Sequence, residues 1–205
     1  MKFTLLDYGA GNLPSVERAL HRLGVQTERA STAADLENAS ALILPGVGHY
    51  SALVRALDAN GLREALVAAI ERGVPFLGIC LGLQVLYEAS EEAPELRGLG
   101  LLDGRVRALR GAVKLPHMGW NQVQSKSPSR LLQGIDPAAY FYFAHSYAAC
   151  NSNGSGMMEI CATCLYGSEF VAVAEKENIF AVQFHPEKSG EPGQHVLRNF
   201  IRIAA

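Results

Sequence analysis

The chain has 205 residues, of which 49% are hydrophobic and 19% are charged, and its formal net charge at pH 7 is −2. This length and composition predict one globular domain spanning residues 1–205. The balanced charge offers no basic surface for nucleic acid, no stretch approaches the ~20 apolar residues of a membrane span, and the first residues do not resemble a secretion signal. We therefore expect a cytoplasmic protein that binds neither nucleic acid nor membrane.

Strands and helices alternate through the first half of the chain, which is typical of a parallel sheet covered by helices on both faces. After residue 95, short strand-like segments separated by turns at 102–104, 127–129 and 151–156 predict further, antiparallel strands. The predicted fold is an α/β domain with a mostly parallel central sheet, helices on both faces and antiparallel strands added in the C-terminal half. The clearest predicted strands and helices lie at 3–6, 41–44, 74–79 and 179–184, and at 13–23, 51–57, 62–71 and 196–203.

A Gly-Ile-Cys-Leu-Gly motif at 78–82 stands between a buried strand and a predicted helix. A strand that reverses into a helix in so tight a turn leaves little room for side chains two residues from its apex, which explains both glycines. The turn brings the sulfur of Cys80 to the first N–H groups of the helix, where the helix dipole favours the thiolate. The motif predicts a nucleophile, although a small buried cysteine at a strand end remains the alternative.

A thiolate nucleophile requires an imidazole that transfers protons and a third group that orients the ring. Among six histidines, His185 follows a predicted strand and precedes Pro186 and Glu187. Side chains two residues apart in an extended segment share a face, so the Glu187 carboxylate can hydrogen-bond the imidazole. We predict a triad of Cys80, His185 and Glu187, with a surface His-x-Glu pair as the alternative for the last two.

A glycine-rich connection, Pro-Gly-Val-Gly at 45–48, follows a predicted strand. The backbone N–H groups of Gly46, Val47 and Gly48, with that of Leu81, would form an oxyanion hole. The alternative is that these glycines are required only by a tight connection between strand and helix.

Cys161 and Cys164 form a C-x-x-C spacing within a strand-like segment. Side chains three residues apart in a strand point to opposite faces, and a second pair of ligands is missing. We therefore expect these cysteines to pack in the core, and we predict neither a metal site nor a cofactor.

Several of these motifs resemble those of class I, or triad, glutamine amidotransferases, namely residues 45–48, 78–84 and 184–188. Three further stretches are similar to the glutaminase subunits of imidazole glycerol phosphate synthases, from histidine biosynthesis. They are Asp-Tyr-Gly-Ala-Gly-Asn-Leu at 7–13, Pro-His-Met-Gly-Trp-Asn at 116–121 and Tyr-Phe-Ala-His-Ser-Tyr at 142–147. The resemblance runs nearly end to end and implies a flavodoxin-like amidotransferase fold.

The resemblance implies an activity as well. Cys80 would attack the side-chain amide of L-glutamine, His185 would protonate the departing ammonia, and water would hydrolyse the glutamyl thioester. The charged head of the glutamine would be held by five residues, which are Gln84, Glu88, His145, Ser146 and Tyr147.

A partner is also implied by the resemblance, namely a (β/α)₈-barrel cyclase that forms a heterodimer with the chain. The cyclase would use the ammonia to make imidazole glycerol phosphate and an aminoimidazole carboxamide ribotide. The residues expected to face it are Asn12, Trp120, Asn121 and Lys188. Pro14 departs from the basic residue common at this position in the family, and His49 has no assigned role.

Three other functions are weaker alternatives. The chain could be the glutaminase subunit of a different class I amidotransferase, or a scaffold that kept the fold without its activity. The glycines at 9 and 11 also mimic a dinucleotide-binding fingerprint, but Pro14 stands where the third glycine is needed.

Overall fold

A computed structural model of the chain describes residues 2–10, 12–150 and 159–205. Gly11 and the polar turn expected at 151–156 lie outside the described residues. None of the helices within these ranges has the length and apolar character needed to cross a bilayer.

The described elements follow the expected alternation in the first half of the chain. The helices are α1 (Leu13–Arg22), α2 (Tyr50–Ala59), α3 (Leu62–Glu71), α4 (Leu81–Gln84) and α5 (Gly190–Ala204), with 3₁₀ turns at Ala33–Leu36 and Pro186–Lys188. The strands are β1 (Lys2–Leu6), β2 (Gln26–Ala30), β3 (Leu42–Gly46), β4 (Phe76–Cys80), β5 (Tyr87–Ser90), β6 (Leu102–Ala108), β7 (His117–Gln122), β8 (Gln124–Ser125), β9 (Tyr140–His145), β10 (Tyr147–Cys150), β11 (Glu159–Tyr166), β12 (Ser168–Lys176) and β13 (Ile179–Val182).

The central sheet has eight strands in the order β2-β1-β3-β4-β13-β12-β11-β8. Its first five strands pair in parallel, and β12, β11 and β8 continue the sheet in antiparallel pairs. Two smaller sheets, β10-β6-β5 and β7-β9, complete the described fold. The predicted mostly parallel sheet with added antiparallel strands is confirmed.

The central sheet is buried on both faces. Successive residues of β3 alternate between two core clusters, with Ile43 in the first and Leu42 and Leu44 in the second. Helices α1 and α5 pack on the first cluster, and α2 and α3 pack on the second. Strands covered in this way carry continuous apolar runs, which explains why β3 and β4 read as uninterrupted hydrophobic segments. Their carboxyl ends are where the candidate site lies.

The helix that follows Cys80 is shorter than its apolar stripe predicts. It ends at Gln84, because the segment 98–102 takes the carbonyl groups that a longer helix would use. Leu99 N–H donates to Val85 O at 2.7 Å, and Leu101 N–H donates to Leu86 O at 2.8 Å. The chain then enters β5. Residues 102–104, which the sequence predicted as a turn, are the first residues of strand β6.

Cys161 and Cys164 are both fully buried and lie in the same core cluster, not on opposite faces. The pairing of β11 with β12 shifts register between Ile160 and Thr163, and such a bulge changes which face a side chain occupies. No group of three potential metal ligands occurs within the described ranges.

Candidate active site

Cys80 occupies a strained turn at the junction of β4 and α4. Its φ of 56° lies in the left-handed region, which is uncommon for a residue with a side chain. A Cβ atom at Gly78 would lie 2.4 Å from Gly82 O, and one at Gly82 would lie 2.0 Å from Leu44 O. Both glycines are therefore required by close backbone contact, as the motif predicted.

The structure brings the three predicted triad residues together. His185 Nδ1 lies 3.0 Å from Glu187 Oε1, and their side chains are 2% and 1% exposed. Burial acts to lower the pKa of His185, but negative charge on Cys80, its hydrogen bond to the imidazole and the Glu187 carboxylate outweigh burial and raise that pKa to about 10. An imidazolium at His185 stabilises a thiolate at Cys80, which is the reactive form of the nucleophile.

A cavity of about 540 Å³ opens beside the sulfur of Cys80. Its walls come from the ends of β4 and β9, the start of α4, the 45–48 connection and the His-Pro-Glu segment. The lining residues are Asn12, Val47, Gly48, Cys80, Leu81, Gln84, Glu92, Ala144, His145, Ser146, Tyr147, His185 and Lys188. Four of the five residues expected to hold the substrate head thus line one cavity with the triad.

The amide of Gln84 is held in one orientation at the wall of the cavity. Its Nε2 donates to Tyr147 O at 2.7 Å and to Gln183 Oε1 at 3.1 Å. Gln183 Nε2 lies 3.5 Å from Cys80 Sγ. Gln84 Oε1 remains buried without a hydrogen-bond partner. A buried acceptor without a partner is costly, so this oxygen is a candidate acceptor for a ligand that enters the cavity beside Gln84.

Glu88 does not line the cavity, so the prediction that it holds the charged head of the glutamine is wrong. Because α4 ends at Gln84, Glu88 falls on β5, where its side chain is exposed and pairs with Arg97 at 2.9 Å.

The structure places Glu92 at the cavity instead. Glu92 Oε2 accepts the Tyr50 N–H at the start of α2 at 3.0 Å, and Glu92 Oε1 lies 3.8 Å from His49 Nε2. Sequence reasoning missed this residue, since its place depends on the unexpected strand β5.

The predicted oxyanion loop lies against the elbow. Gly46 pairs with Cys80 in the sheet, and a Cβ there would lie 2.4 Å from Leu81 Cβ. Val47 and Gly48 line the cavity, whereas Gly46 does not belong to the lining. The Val47 N–H donates to the Tyr8 hydroxyl at 3.3 Å, so this donor is already engaged.

Two buried histidines form part of the wall behind the cavity. His145 Nδ1 lies 2.9 Å from Tyr147 O and, since a carbonyl only accepts, carries the proton. His145 Nε2 then accepts from His117 Nδ1 at 3.3 Å, and Asn121 Nδ2 donates to His117 Nε2 at 3.4 Å. Burial lowers the pKa of His117 to about 4 and, as the largest of several causes, that of His145 to about 3. Both imidazoles are therefore uncharged at neutral pH.

The outer face of the β7-β9 sheet carries exposed apolar side chains. Met118 and Trp120 are 65% and 55% exposed, and Tyr140 lies beside them at 53%. Trp120 pairs with Tyr142 across the two strands, and their rings meet edge to face at 6.0 Å. Lys188 Nζ lies 5.8 Å from the centre of the Tyr142 ring. We call this surface the aromatic face.

Of the other residues expected to contact a partner, Lys188 lies beside the aromatic face, and Asn121 lies on the opposite side of β7 from Trp120. Asn12 and Lys188 line the cavity, and Asn121 is half-buried on β7, where it also donates to Leu165 O at 3.3 Å. The aromatic face is continuous with the cavity, because Ala144 faces the same side of β9 as Tyr142 and lines the cavity.

Comparisons with known proteins agree with this geometry. The family profile described as glutamine amidotransferase class-I matches residues 4–204. The imidazole glycerol phosphate synthase subunit HisH of Methanothermobacter thermautotrophicus is 48% identical over 199 residues, covering 97% of both chains. The HisH subunit of Deinococcus radiodurans is 44% identical, covering 98% of this chain and 93% of that protein.

Solved structures show the same fold at lower identity. A crystal structure of a glutamine amidotransferase has a TM-score of 0.78 at 21% identity, covering 98% of both chains. The structure of PurLQS from Thermotoga maritima also has a TM-score of 0.78 at 19% identity, covering 100% of this chain and 99% of that chain. The chain therefore belongs to the class I glutamine amidotransferase family and, within it, to the HisH subunits of imidazole glycerol phosphate synthase.

Proposed function

We propose that the chain hydrolyses L-glutamine with Cys80 as nucleophile and supplies the ammonia to a cyclase partner in histidine biosynthesis. The observation that carries this proposal is the buried Cys80–His185–Glu187 constellation beside a cavity with an unpartnered amide acceptor. Family membership supplies the class of reaction, and the geometry supports the roles proposed for the residues.

The reaction begins when the Cys80 sulfur attacks the carboxamide carbon and forms a tetrahedral intermediate. His185 gives its proton to the leaving nitrogen, ammonia departs and a thioester remains. His185 then takes a proton from water, which attacks the thioester and releases glutamate. Glu187 holds Nδ1 of the imidazole, so that the opposite nitrogen faces the sulfur throughout.

The charged head of the substrate finds complementary groups in the cavity. Glu92 supplies a carboxylate for the ammonium, and Gln84 Oε1 is a free acceptor for an N–H donor. Ser146 and Tyr147 lie at the same wall and offer hydroxyl or N–H donors for the substrate carboxylate. We assign these four residues, with His145 behind them, to glutamine binding.

The partner is proposed to cover the aromatic face. Large apolar side chains exposed together are typical of a protein interface, and Trp and Tyr are favoured there. The Arabidopsis thaliana protein named imidazole glycerol phosphate synthase hisHF is 44% identical, and the match covers 97% of this chain but 33% of that protein. We propose a heterodimer with a (β/α)₈-barrel cyclase in the cytoplasm, in which ammonia leaves the cavity toward this face.

Docking is proposed to complete the oxyanion hole. The Val47 N–H is engaged by Tyr8, so it does not serve an oxyanion in the isolated chain. A partner that displaces this contact would free the donor, and one such donor contributes about 10²–10³ in rate. We therefore expect the isolated chain to hydrolyse glutamine slowly.

The decisive test is Cys80→Ala in the complex with the cyclase. Glutamate release should fall to background, while cyclisation supplied with free ammonium should continue at the wild-type rate. Glutamate release and product formation measured in parallel report the two activities. Glutamine-dependent turnover by the variant would refute the assignment of the nucleophile.

A further inference from the structure

Ser189 connects the catalytic histidine to strand β9. Its side chain is fully buried, and its Oγ donates to His185 O at 2.7 Å. The same oxygen accepts the N–H of Tyr142 at 2.9 Å, and the His185 N–H donates to Tyr142 O at 2.9 Å. Tyr142 of β9 therefore holds the main chain of His185 in two places. It accepts the His185 N–H directly, and it is linked to the His185 carbonyl through the Ser189 hydroxyl.

Helix α5 closes the other side of this segment. Gly193 N–H donates to Ser189 O at 3.2 Å. A Cβ atom at Gly193 would lie 2.0 Å from Pro186 O and 2.7 Å from Ser189 Cβ. The segment 185–189 is thus enclosed between β9 and α5, and the serine hydroxyl makes one of its two hydrogen bonds to Tyr142 of β9.

The usual reason for a serine at this place does not apply. Serine before a helix normally accepts an N–H of the first turn, and Ser189 directly precedes α5. Its side chain makes no such cap. The hydroxyl is used instead between Tyr142 and His185, which indicates that its role concerns the histidine and not the helix.

We propose that Ser189 is a positioning residue, which orients the His185 imidazole toward Cys80 without touching the substrate. This inference rests on the proposed glutaminase reaction. Removing the hydroxyl leaves the Tyr142 N–H unpaired and takes one of two donors from His185 O, which then keeps only the Lys188 N–H at 3.0 Å, so the segment is expected to shift. Because a displacement of ~1 Å between reacting groups costs about a hundredfold in rate, the effect should fall on the chemical step.

The test is Ser189→Ala in the complex with the cyclase. We expect kcat for glutamine hydrolysis to fall about tenfold to a hundredfold, with the KM for glutamine within about twofold of wild type. Ser189→Thr keeps the hydroxyl and should retain most of the kcat. The matched control is Ser168→Ala, because the Ser168 hydroxyl also accepts a backbone N–H, from Arg110 at 3.3 Å, but at the β11–β12 turn. It should leave both constants unchanged.

A second measurement does not depend on turnover. Alkylation of Cys80 by iodoacetamide, followed by mass spectrometry across pH, reports how strongly His185 stabilises the thiolate. Ser189→Ala should slow the alkylation of Cys80 at neutral pH, while Ser189→Thr and Ser168→Ala should not. An unchanged kcat, a loss confined to KM, equal losses in the alanine and threonine variants, or an unchanged alkylation profile would each overturn the inference. A wild-type complex that releases no glutamate would refute the proposed function instead, and the alkylation profile would still decide the role of Ser189.

Discussion

The cluster around Cys80 and the aromatic face differ in whether their side chains find partners within the chain. Around Cys80 the polar groups are buried and bonded to one another, from Glu187 through His185 to the sulfur and on to Gln183. On the aromatic face, by contrast, Met118 and Trp120 stand in solvent. The triad is held by contacts within one chain, whereas the aromatic face gains its burial only when another surface covers it. We therefore expect changes around Cys80 to affect catalysis and changes on the aromatic face to affect docking.

The largest expected effect lies inside the cavity and corrects the sequence prediction. Glu92→Gln should raise the KM for glutamine about tenfold to a hundredfold, because a hydrogen bond to a charged group contributes about 1.5–3 kcal/mol. Glu88→Gln is the matched control and should change KM by less than about twofold, since Glu88 pairs with Arg97 outside the cavity. Steady-state kinetics on the two variants decide between these carboxylates, and equal effects would contradict the assignment to Glu92.

A change on the aromatic face should weaken docking and leave catalysis by the isolated chain intact. Trp120→Ala should weaken cyclase binding about thirtyfold, which corresponds to ~2 kcal/mol at an interface hot spot. The slow hydrolysis by the isolated chain should not change. Calorimetric titration with the cyclase measures the first quantity, and Arg55→Ala, an exposed change on α2, is the control. A variant that binds like wild type would place the interface elsewhere.

The Tyr8–Val47 contact lies at the cavity and is the one that docking is proposed to displace. Tyr8→Phe removes the acceptor, so the Val47 N–H becomes available and glutamate release by the isolated chain should rise severalfold. The gain should be about fivefold, because it is limited by the ~1 kcal/mol of the lost hydrogen bond and stays below the roughly 10²–10³ that a fully aligned oxyanion donor contributes. Tyr50→Phe is the control, because the buried Tyr50 hydroxyl has no hydrogen-bond partner. A slower Tyr8→Phe chain would show that the contact supports the active geometry.

The smallest effect concerns stability and pH. The pKa of His117 is about 4 in the folded chain and ~6.5 when unfolded, so the unfolded chain binds more protons between these values and stability falls as pH drops through this window. His117→Phe removes this contribution and keeps the stacking on Phe143. When the pH is lowered from 7.5 to 5, the Tm of this variant should fall by about 2–6 °C less than the Tm of the wild type.

Thermal unfolding at the two pH values measures this difference. Tyr166→Phe is the matched control, because it alters the other ring stacked on His117 while keeping the imidazole. The control should lose as much Tm as wild type on acidification. An equal loss in His117→Phe would show that this histidine does not contribute to acid lability.

The sequence predicted those parts of the site that short-range sterics determine. The glycines around Cys80 and the pairing of His185 with Glu187 follow from residues two positions apart. Glu92 could not be found in this way, because the end of α4 depends on hydrogen bonds from residues 98–102. The contact of Tyr8 with Val47 joins residues 39 positions apart and left no local pattern.

The uncharged histidines behind the cavity have a consequence for the product. Freshly released ammonia is useful as a nucleophile only while it remains unprotonated. His145 at the cavity wall cannot act as an acid toward it near neutral pH, because this imidazole takes up a second proton only at a pH of about 3. The histidine pair therefore contributes no acid that would convert ammonia into ammonium near neutral pH.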